Sequence, residues 1–356
     1  MKLLESVQLG GLTLKNRMAM APMTRCRADL NGLVGELTVT YYTQRASAGL
    51  IVTEGVNISK QAQGSPFTPG LYTQEQVEAW KKVTAAVHEQ GSVIYAQLWH
   101  TGRVGHSIDK GELPVAPSAI AISGQQHYTM QGLKDFEVPH ALTVPEIKQI
   151  MQDYALAAKN AIAAGFDGVE LHGANGYLPA QFLADGANTR TDEYGGSVEN
   201  RSRFYLEATD AIIAAVGGAK VGVRMSPTNP YNDILLSDPV AQFTHLIGEL
   251  NKRELAYVHL MHNSPYAPPV PHYPTDVIET FGKQINHFLI ANNGYGRETG
   301  EAELEKGVAD MIAYGSLFLA NPDLPKRFEL NAPLNQPDRA TMFAGGDKGY
   351  TDYPFL

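Results

Sequence analysis

Hydrophobic positions along this chain switch between two spacings. Between residues 73 and 90 they recur at helical intervals: Val77, Trp80, Val83 and Val87 share one face, Thr73-x-x-Gln76 offers a capping box ahead of them, and Gly91 ends the run. A second helix is expected to open at Thr143-x-Pro145-Glu146, to carry Ile147, Ile150, Met151, Tyr154 and Ala158 on one stripe, and to stop at Gly165. A third begins near Ser197, carries Phe204, Ala208, Ala211 and Ala215, and ends at Gly217-Gly218. Around these helices lie short continuous apolar runs of the kind a parallel strand shows when both its faces are covered: RMAMAP, LIVTEG, SVIYAQL, GVELHG, KVGVRM, YVHLM, FLIANN and DMIAYG. Eight such strands alternating with helices predict an α/β fold, a single (β/α)8 TIM barrel forming one domain over residues 1–356. Residues beyond a minimal barrel fall into an N-terminal hairpin (1–16), an insertion after the third strand (101–142), a Pro-rich loop after the sixth (264–275) and a C-terminal tail. A doubly wound open sheet is the rival architecture, but no Gly-x-Gly-x-x-Gly follows the first strand.

Composition narrows the function classes. With 44% hydrophobic and 18% charged residues, and no apolar run near the ~20 residues that span a bilayer, the chain is expected to have no membrane segment. A net charge of −9 without a basic cluster argues against a nucleic-acid partner. The start, MKLLESVQLGGLTLKNR, lacks an apolar secretory core, and the lone Cys26 fits a reducing compartment, so a cytoplasmic location is expected. No His or Lys follows Cys26 at activating spacing, so its thiol reads as a small packed side chain.

In barrels of this kind the chemistry sits at the carboxyl ends of the strands. Here those ends carry Pro22-Met23-Thr24, Glu54-Gly55, Gln97, His172 and Arg224. A flavin ring requires donors and acceptors along its pyrimidine edge and a cation near N1 and O2, functions that Thr24, Gln97 and Arg224 supply. After the seventh strand comes Asn293-Gly294-Tyr295-Gly296, and after the eighth Tyr314-Gly315-Ser316; both read either as tight turns or as phosphate-binding backbone. In LHGANGYL, His172 and Asn175 can donate to one oxygen atom, and Tyr177 can hand on a proton. Spacing alone leaves a metal-ligand or structural-turn reading of that trio open. His259-x-x-His262 and the His100, His106 pair lack a completing first shell and read as hydrogen-bonding residues, with no metal.

The stretches APMTR (21–25), YYTQRASAGLIVTEG (41–55), AQLWHTGR (96–103), HGANGYL (172–178), NTRTDEYGGSVENR (188–201), VRMSP (223–227) and GYTDYP (349–354) occur in the order found in one family. The chain resembles the old yellow enzyme family of FMN-dependent ene-reductases along essentially its whole length. That resemblance implies non-covalent FMN lined by Ala21, Pro22, Met23, Thr24, Gly55, Gln97 and Arg224, with Asn293, Gly294, Gly315 and Ser316 at its phosphate. It implies NADPH or NADH as reductant and a small electrophilic alkene as substrate. His172 and Asn175 would hold the substrate's oxygen, Tyr177 would protonate it, and Trp99 and Phe343 would wall the pocket. Two positions depart from the pattern: many relatives carry Arg where this chain has Ser316, and a pocket Tyr where it has Phe343. DEYGGSVENR reads as scaffold beneath the site. Two rival functions are a flavin-free barrel lyase or isomerase, for which Glu54 is the one strand-end carboxylate in reach, and a flavin-storing redox sensor centred on Cys26. A monomer and a homodimer are both compatible with the sequence.

Overall fold

A computed structural model describes all residues except 264–268, so that part of the expected Pro-rich loop lies outside the described residues. The chain opens with an antiparallel hairpin of β1 (Val7–Leu9) and β2 (Leu12–Leu14). Three barrel strands follow, β3 (Met18–Met20), β4 (Leu50–Asn57) and β5 (Val93–Trp99), separated by α1 (Glu36–Gln44) and α2 (Gln74–Glu89). The insertion after β5 holds the one-turn α3 (Ser107–Lys110), then β6 (Val115–Ala116), β7 (Gln126–Thr129), β8 (Gly132–Asp135) and β9 (His140–Ala141). There β7 and β8 make a second hairpin, while β6 and β9 pair in parallel. After α4 (Val144–Ala163) the barrel resumes with β10 (Gly168–His172), β11 (Val221–Met225), β12 (Tyr257–Met261), β13 (Leu289–Asn292) and β14 (Met311–Tyr314). Helices α5 (Leu178–Leu183), α6 (Val198–Val216), α7 (Pro239–Leu250), α8 (Val277–Phe281), α9 (Arg297–Glu305), α10 (Ser316–Ala320) and α11 (Leu324–Leu330) complete the chain. All eight expected runs are strands, and each pairs in parallel with its neighbours until β14 meets β3 and closes the barrel.

The helix boundaries follow from their caps. Thr73 with Gln76 and Thr143 with Glu146 each make the reciprocal capping box, and Ser197 Oγ accepts from Asn200 N at 3.3 Å. Val77, Trp80, Val83 and Val87, and likewise Ile147, Ile150, Met151 and Tyr154, are buried against the strands. Those side chains belong to an outer core between helices and sheet. A separate inner core unites Ala19, Leu50, Val52, Tyr95, Tyr257, Ile290 and Met311, from inside the barrel, with Leu9 and Leu14 of the hairpin. The hairpin therefore plugs the amino end of the barrel, and the polar residues gather at the other end.

The tail is tied to the end of the first barrel strand. Arg25 Nη2 donates to Gly349 O at 2.7 Å, and the Arg27 guanidinium donates to the carbonyls of Thr341, Met342, Gly346 and Lys348. Tyr350 stacks on Tyr41 with ring centroids 4.1 Å apart. A buried Arg25 and a half-buried Arg27 that bonds several carbonyls make such a closure expensive to open.

Candidate active site

Side chains on a strand alternate between faces, so Tyr95, Gln97 and Trp99 share the interior face of β5, as do Glu170 and His172 on β10. Register then sets which of them meet. Gln97 lies opposite Glu170, and one level nearer the mouth His172, Arg224 and His259 lie side by side on consecutive strands. Arg224 is buried; its Nη2 donates to Asn292 Oδ1 at 2.7 Å and approaches Met261 Sδ at 3.4 Å. Its Nε is buried and bonds to none of the described residues. Burial lowers the guanidinium's pKa from 12.5, yet an arginine in this position remains a cation at neutral pH.

Beside it stands an aromatic group. The rings of His172 and Tyr177 are 4.9 Å apart, those of Trp99 and Tyr177 5.0 Å, and those of Trp99 and His172 6.4 Å. Burial first, and Arg224 and His259 next, push the His172 pKa well below 6.5, so the imidazole is neutral. Ala174 N approaches His172 Nδ1 at 3.4 Å, which assigns the ring proton to Nε2 and leaves that N–H as the free donor. Asn175 is held as tightly. Its backbone is left-handed at φ 56°, its N–H donates to Ser226 Oγ at 2.9 Å, and its carbonyl accepts from Asn232 Nδ2 at 2.8 Å. Asn229 Nδ2 donates to Asn175 Oδ1 at 3.1 Å, which fixes the amide and turns Asn175 Nδ2 out as a donor. The next residue, Gly176, also has positive φ, and a Cβ there would sit 2.5 Å from Tyr231 O. This double left-handed turn brings Tyr177 back over the strand end. Tyr177 is half-buried, and desolvation raises its pKa above 10, more than its unperturbed value of ~10 suggested.

The remaining expected residues border the same mouth. Ala21 N donates to Tyr314 O at 3.0 Å, and Met23 Sδ lies 3.5 Å from where a Cβ on Gly315 would be, so the ends of β3 and β14 adjoin. Pro22 and Thr24, between and beyond them, are half-buried. Gly55 follows an irregularity in the β4–β5 ladder, and a Cβ on it would fall 2.6 Å from the Trp99 ring. Only glycine lets the strand and the indole approach so closely. Asn293 and Gly294 are both left-handed, and Gly315 and Ser316 open α10, so the two turns expected to hold a phosphate end neighbouring strands. Phe343 is the outlier: Ala344 N bonds Arg25 O at 3.0 Å and brings the segment to the mouth, but the Phe343 ring is 61% exposed.

Sequence reading passed over Glu170 and Asn292. Glu54 is not the one carboxylate in reach, because Glu170 is fully buried inside the barrel. It accepts from Gln97 Nε2 at 2.7 Å, Tyr257 OH at 3.1 Å and His259 Nδ1 at 2.8 Å. The signal was available: Glu170 precedes His172 by two residues on one strand and so shares its face. Cys26 behaves as a packed thiol, its pKa pushed up to about 12 by burial and by Glu54. The histidines once weighed as metal ligands bond elsewhere, His259 to Glu170 and His262 Nε2 to Tyr295 OH at 2.9 Å. No group of three metal-ligating side chains occurs among the described residues. Asp192 of the DEYGGSVENR stretch pairs with Arg190, and Arg201 Nε donates to Leu183 O at 3.0 Å, cross-links within the segment between β10 and β11.

The donor set fits a planar cofactor edged with oxygen and nitrogen. Arg224 Nε and Trp99 Nε1 are buried, and neither they nor Gln97 Oε1, Asn175 Nδ2 and the Tyr177 hydroxyl bond to any of the described residues. Comparison with known proteins agrees. The model of the NADH:flavin oxidoreductase / NADH oxidase family matches residues 2–335. The chain is 45% identical to 12-oxophytodienoate reductase 1 of Oryza sativa subsp. japonica, over 99% of this chain and 93% of the relative. It is 42% identical to a probable flavin mononucleotide-dependent alkene reductase of Leishmania infantum, over 99% and 97%. Among solved structures, morphinone reductase superposes with a TM-score of 0.95 at 44% identity, covering 99% of this chain and 96% of that one. The old yellow enzyme homologue from Zymomonas mobilis gives 0.97 at 40% identity, with both chains covered in full. No helix among the described residues is long and apolar enough to cross a membrane.

Proposed function

Because the chain belongs to the NADH:flavin oxidoreductase / NADH oxidase family, and FMN is therefore its cofactor, we propose that it reduces the carbon–carbon double bond of activated alkenes with NADPH or NADH as the source of electrons. The observation that carries this reading is the grouping of three donors, His172 Nε2–H, Asn175 Nδ2 and the Tyr177 hydroxyl, around one Trp99-walled mouth. Bound FMN supplies hydride from its N5 position. The chain's own residues do the rest. His172 and Asn175 hold the oxygen of an enone or nitroalkene, and drawing electron density toward that oxygen makes the β-carbon electrophilic. Burial beside the Arg224 cation keeps His172 neutral, so its Nε2–H donates without placing a second charge in the site. Tyr177 keeps its proton throughout the neutral range and delivers it to the α-carbon.

Gln97, Thr24 and Arg224 orient the flavin, Arg224 placing a cation where the reduced ring gathers negative charge. Ala21, Pro22, Met23 and Gly55 border the ring, and the turns at Asn293-Gly294 and Gly315-Ser316 take its phosphate. One pocket serves reductant and alkene in turn, because a nicotinamide that stacks on a flavin face requires no dinucleotide domain and no fingerprint for one is present. Purified protein should be yellow, should bleach on anaerobic addition of NADPH, and should regain its colour on addition of cyclohexenone. Colourless folded protein that takes up no FMN would refute the proposal.

A further inference from the structure

Glu170 takes no part in the chemistry above, yet it is the most enclosed carboxylate of the barrel, with three donors on its two oxygens. Burial favours its neutral form, but the hydrogen bond from His259, the charge of Arg224 and the hydrogen bond from Gln97 outweigh burial and leave the carboxyl below its ordinary range. His259 is neutral for the complementary reason, desolvation, so its Nδ1–H donates to Glu170 and its Nε2 stays bare and buried. An ionised carboxylate accepts and never donates. That restriction decides something about Gln97, whose amide could otherwise lie either way round.

With Gln97 Nε2 bound to Glu170 at 2.7 Å, Gln97 Oε1 must point away from the carboxylate, and it accepts from none of the described residues. We propose that Glu170 is a positioning residue for the flavin, locking the Gln97 amide so that the site presents a hydrogen-bond acceptor to the ring and not a second donor. The pyrimidine end of an isoalloxazine carries one imide N–H among several acceptor atoms, and an acceptor on the protein recognises that single N–H. Without the carboxylate, the Gln97 amide is free to turn its NH2 to the ring, and the imide N–H then loses its acceptor. This inference rests on Gln97 facing the flavin, as proposed above. Tyr257 and His259 serve it from behind, since their donation to the second Glu170 oxygen keeps the first free for Gln97.

FMN release from the holoenzyme on dilution, followed by flavin fluorescence, tests this in a double-mutant cycle of Glu170→Gln and Gln97→Ala. Each single variant should weaken FMN binding about tenfold, the worth of one hydrogen bond, and the double variant should be no weaker than Gln97→Ala alone. Additive losses would assign Glu170 a structural role independent of Gln97 and overturn the proposal. Wild-type binding by Glu170→Gln beside weak binding by Gln97→Ala would overturn it as well, while leaving Gln97 at the flavin. Wild-type binding by Gln97→Ala would remove the reading underneath. Should Glu170→Gln not fold, Glu170→Asp keeps the buried charge and withdraws the acceptor from Gln97. It should loosen FMN about tenfold with Gln97 present and not at all with Ala at position 97, and any other pattern rejects the lock.

Discussion

Replacing Tyr177 with Phe separates the proposed proton donor from everything around it. The substitution removes one oxygen and keeps the ring, whose neighbours Trp99 and His172 lie with centroids 5.0 and 4.9 Å away. Neither ring contact depends on the hydroxyl, which bonds to none of the described residues, so folding stability should change by less than about 1 kcal/mol. General-acid catalysis by a positioned side chain contributes about 10²–10⁴-fold, or roughly 3–5 kcal/mol of barrier. Stopped-flow absorbance resolves the two halves of the cycle. Mixing oxidised protein with NADPH should show flavin reduction within about twofold of wild type, because no protonation of substrate carbon occurs there. Mixing the reduced protein anaerobically with cyclohexenone should show reoxidation slowed by the full factor of about 10²–10⁴. In the wild type that second rate should stay level up to pH 10, since burial raises the Tyr177 pKa above its ordinary 10 and only the protonated form is needed. A Phe variant that reoxidised at the wild-type rate would refute the assignment of Tyr177, whatever happened to the first half-reaction.

Three further outcomes are expected. Burial pushes the Glu54 carboxyl up to about 7 from 4.5, so the folded state holds its proton through a range where the unfolded chain has lost it, and stability falls as pH rises from 4.5 to 7. Glu54→Gln should escape that loss, and chemical denaturation should find it gaining about 2.5 kcal/mol on wild type between pH 5 and pH 8; a constant difference would contradict the shift. Arg224→Gln should lower the flavin midpoint potential by tens of millivolts, since a charge-assisted contact to the reduced ring is worth about 1.5–3 kcal/mol and a two-electron couple moves 30 mV per roughly 1.4 kcal/mol. A potential that stayed level or rose in a spectroelectrochemical titration would place the cation elsewhere. Ser316→Arg should slow FMN release at least tenfold by adding a charge-assisted phosphate contact, as read by flavin fluorescence after dilution; unchanged release would mean that the phosphate lies away from α10.

Much of this architecture was legible because the barrel strands are buried on both faces and the three longest helices described, α2, α4 and α6, carry side-chain caps. Thr73, Thr143 and Ser197 cap the helices they were expected to cap, and all eight apolar runs joined the barrel. The outward part of the site was legible for a related reason: strand ends are identifiable, and polar residues there are conspicuous. What lay hidden was the layer beneath. Glu170 sits between Val169 and Leu171 and reads as part of a strand, although its spacing from His172 gives its face away. Its partner Gln97 is 73 residues distant in sequence, and only the register of β5 against β10 brings the two together. Phe343 illustrates the opposite limit, since irregular chain carries no periodicity from which a side chain's direction can be inferred, and its ring turned out to solvent. The Tyr177 hydroxyl likewise took its acidity from surroundings that no local pattern records.

The join between β14 and β3 has a consequence for how such a chain comes into being on the ribosome. Seven of the barrel's contacts link strands that follow one another among the eight, but the last links Tyr314 to Met20 across almost the whole length of the chain. Until the final strand has left the exit tunnel, the first must wait with an unpaired edge, and an exposed edge invites pairing with the wrong chain. The arginines at 25, 27 and 45, all between β3 and β4, donate to carbonyls between Thr341 and Tyr350, in chain that emerges later than β14. The mouth that holds the candidate site can thus be assembled only once β14 has emerged to pair with β3.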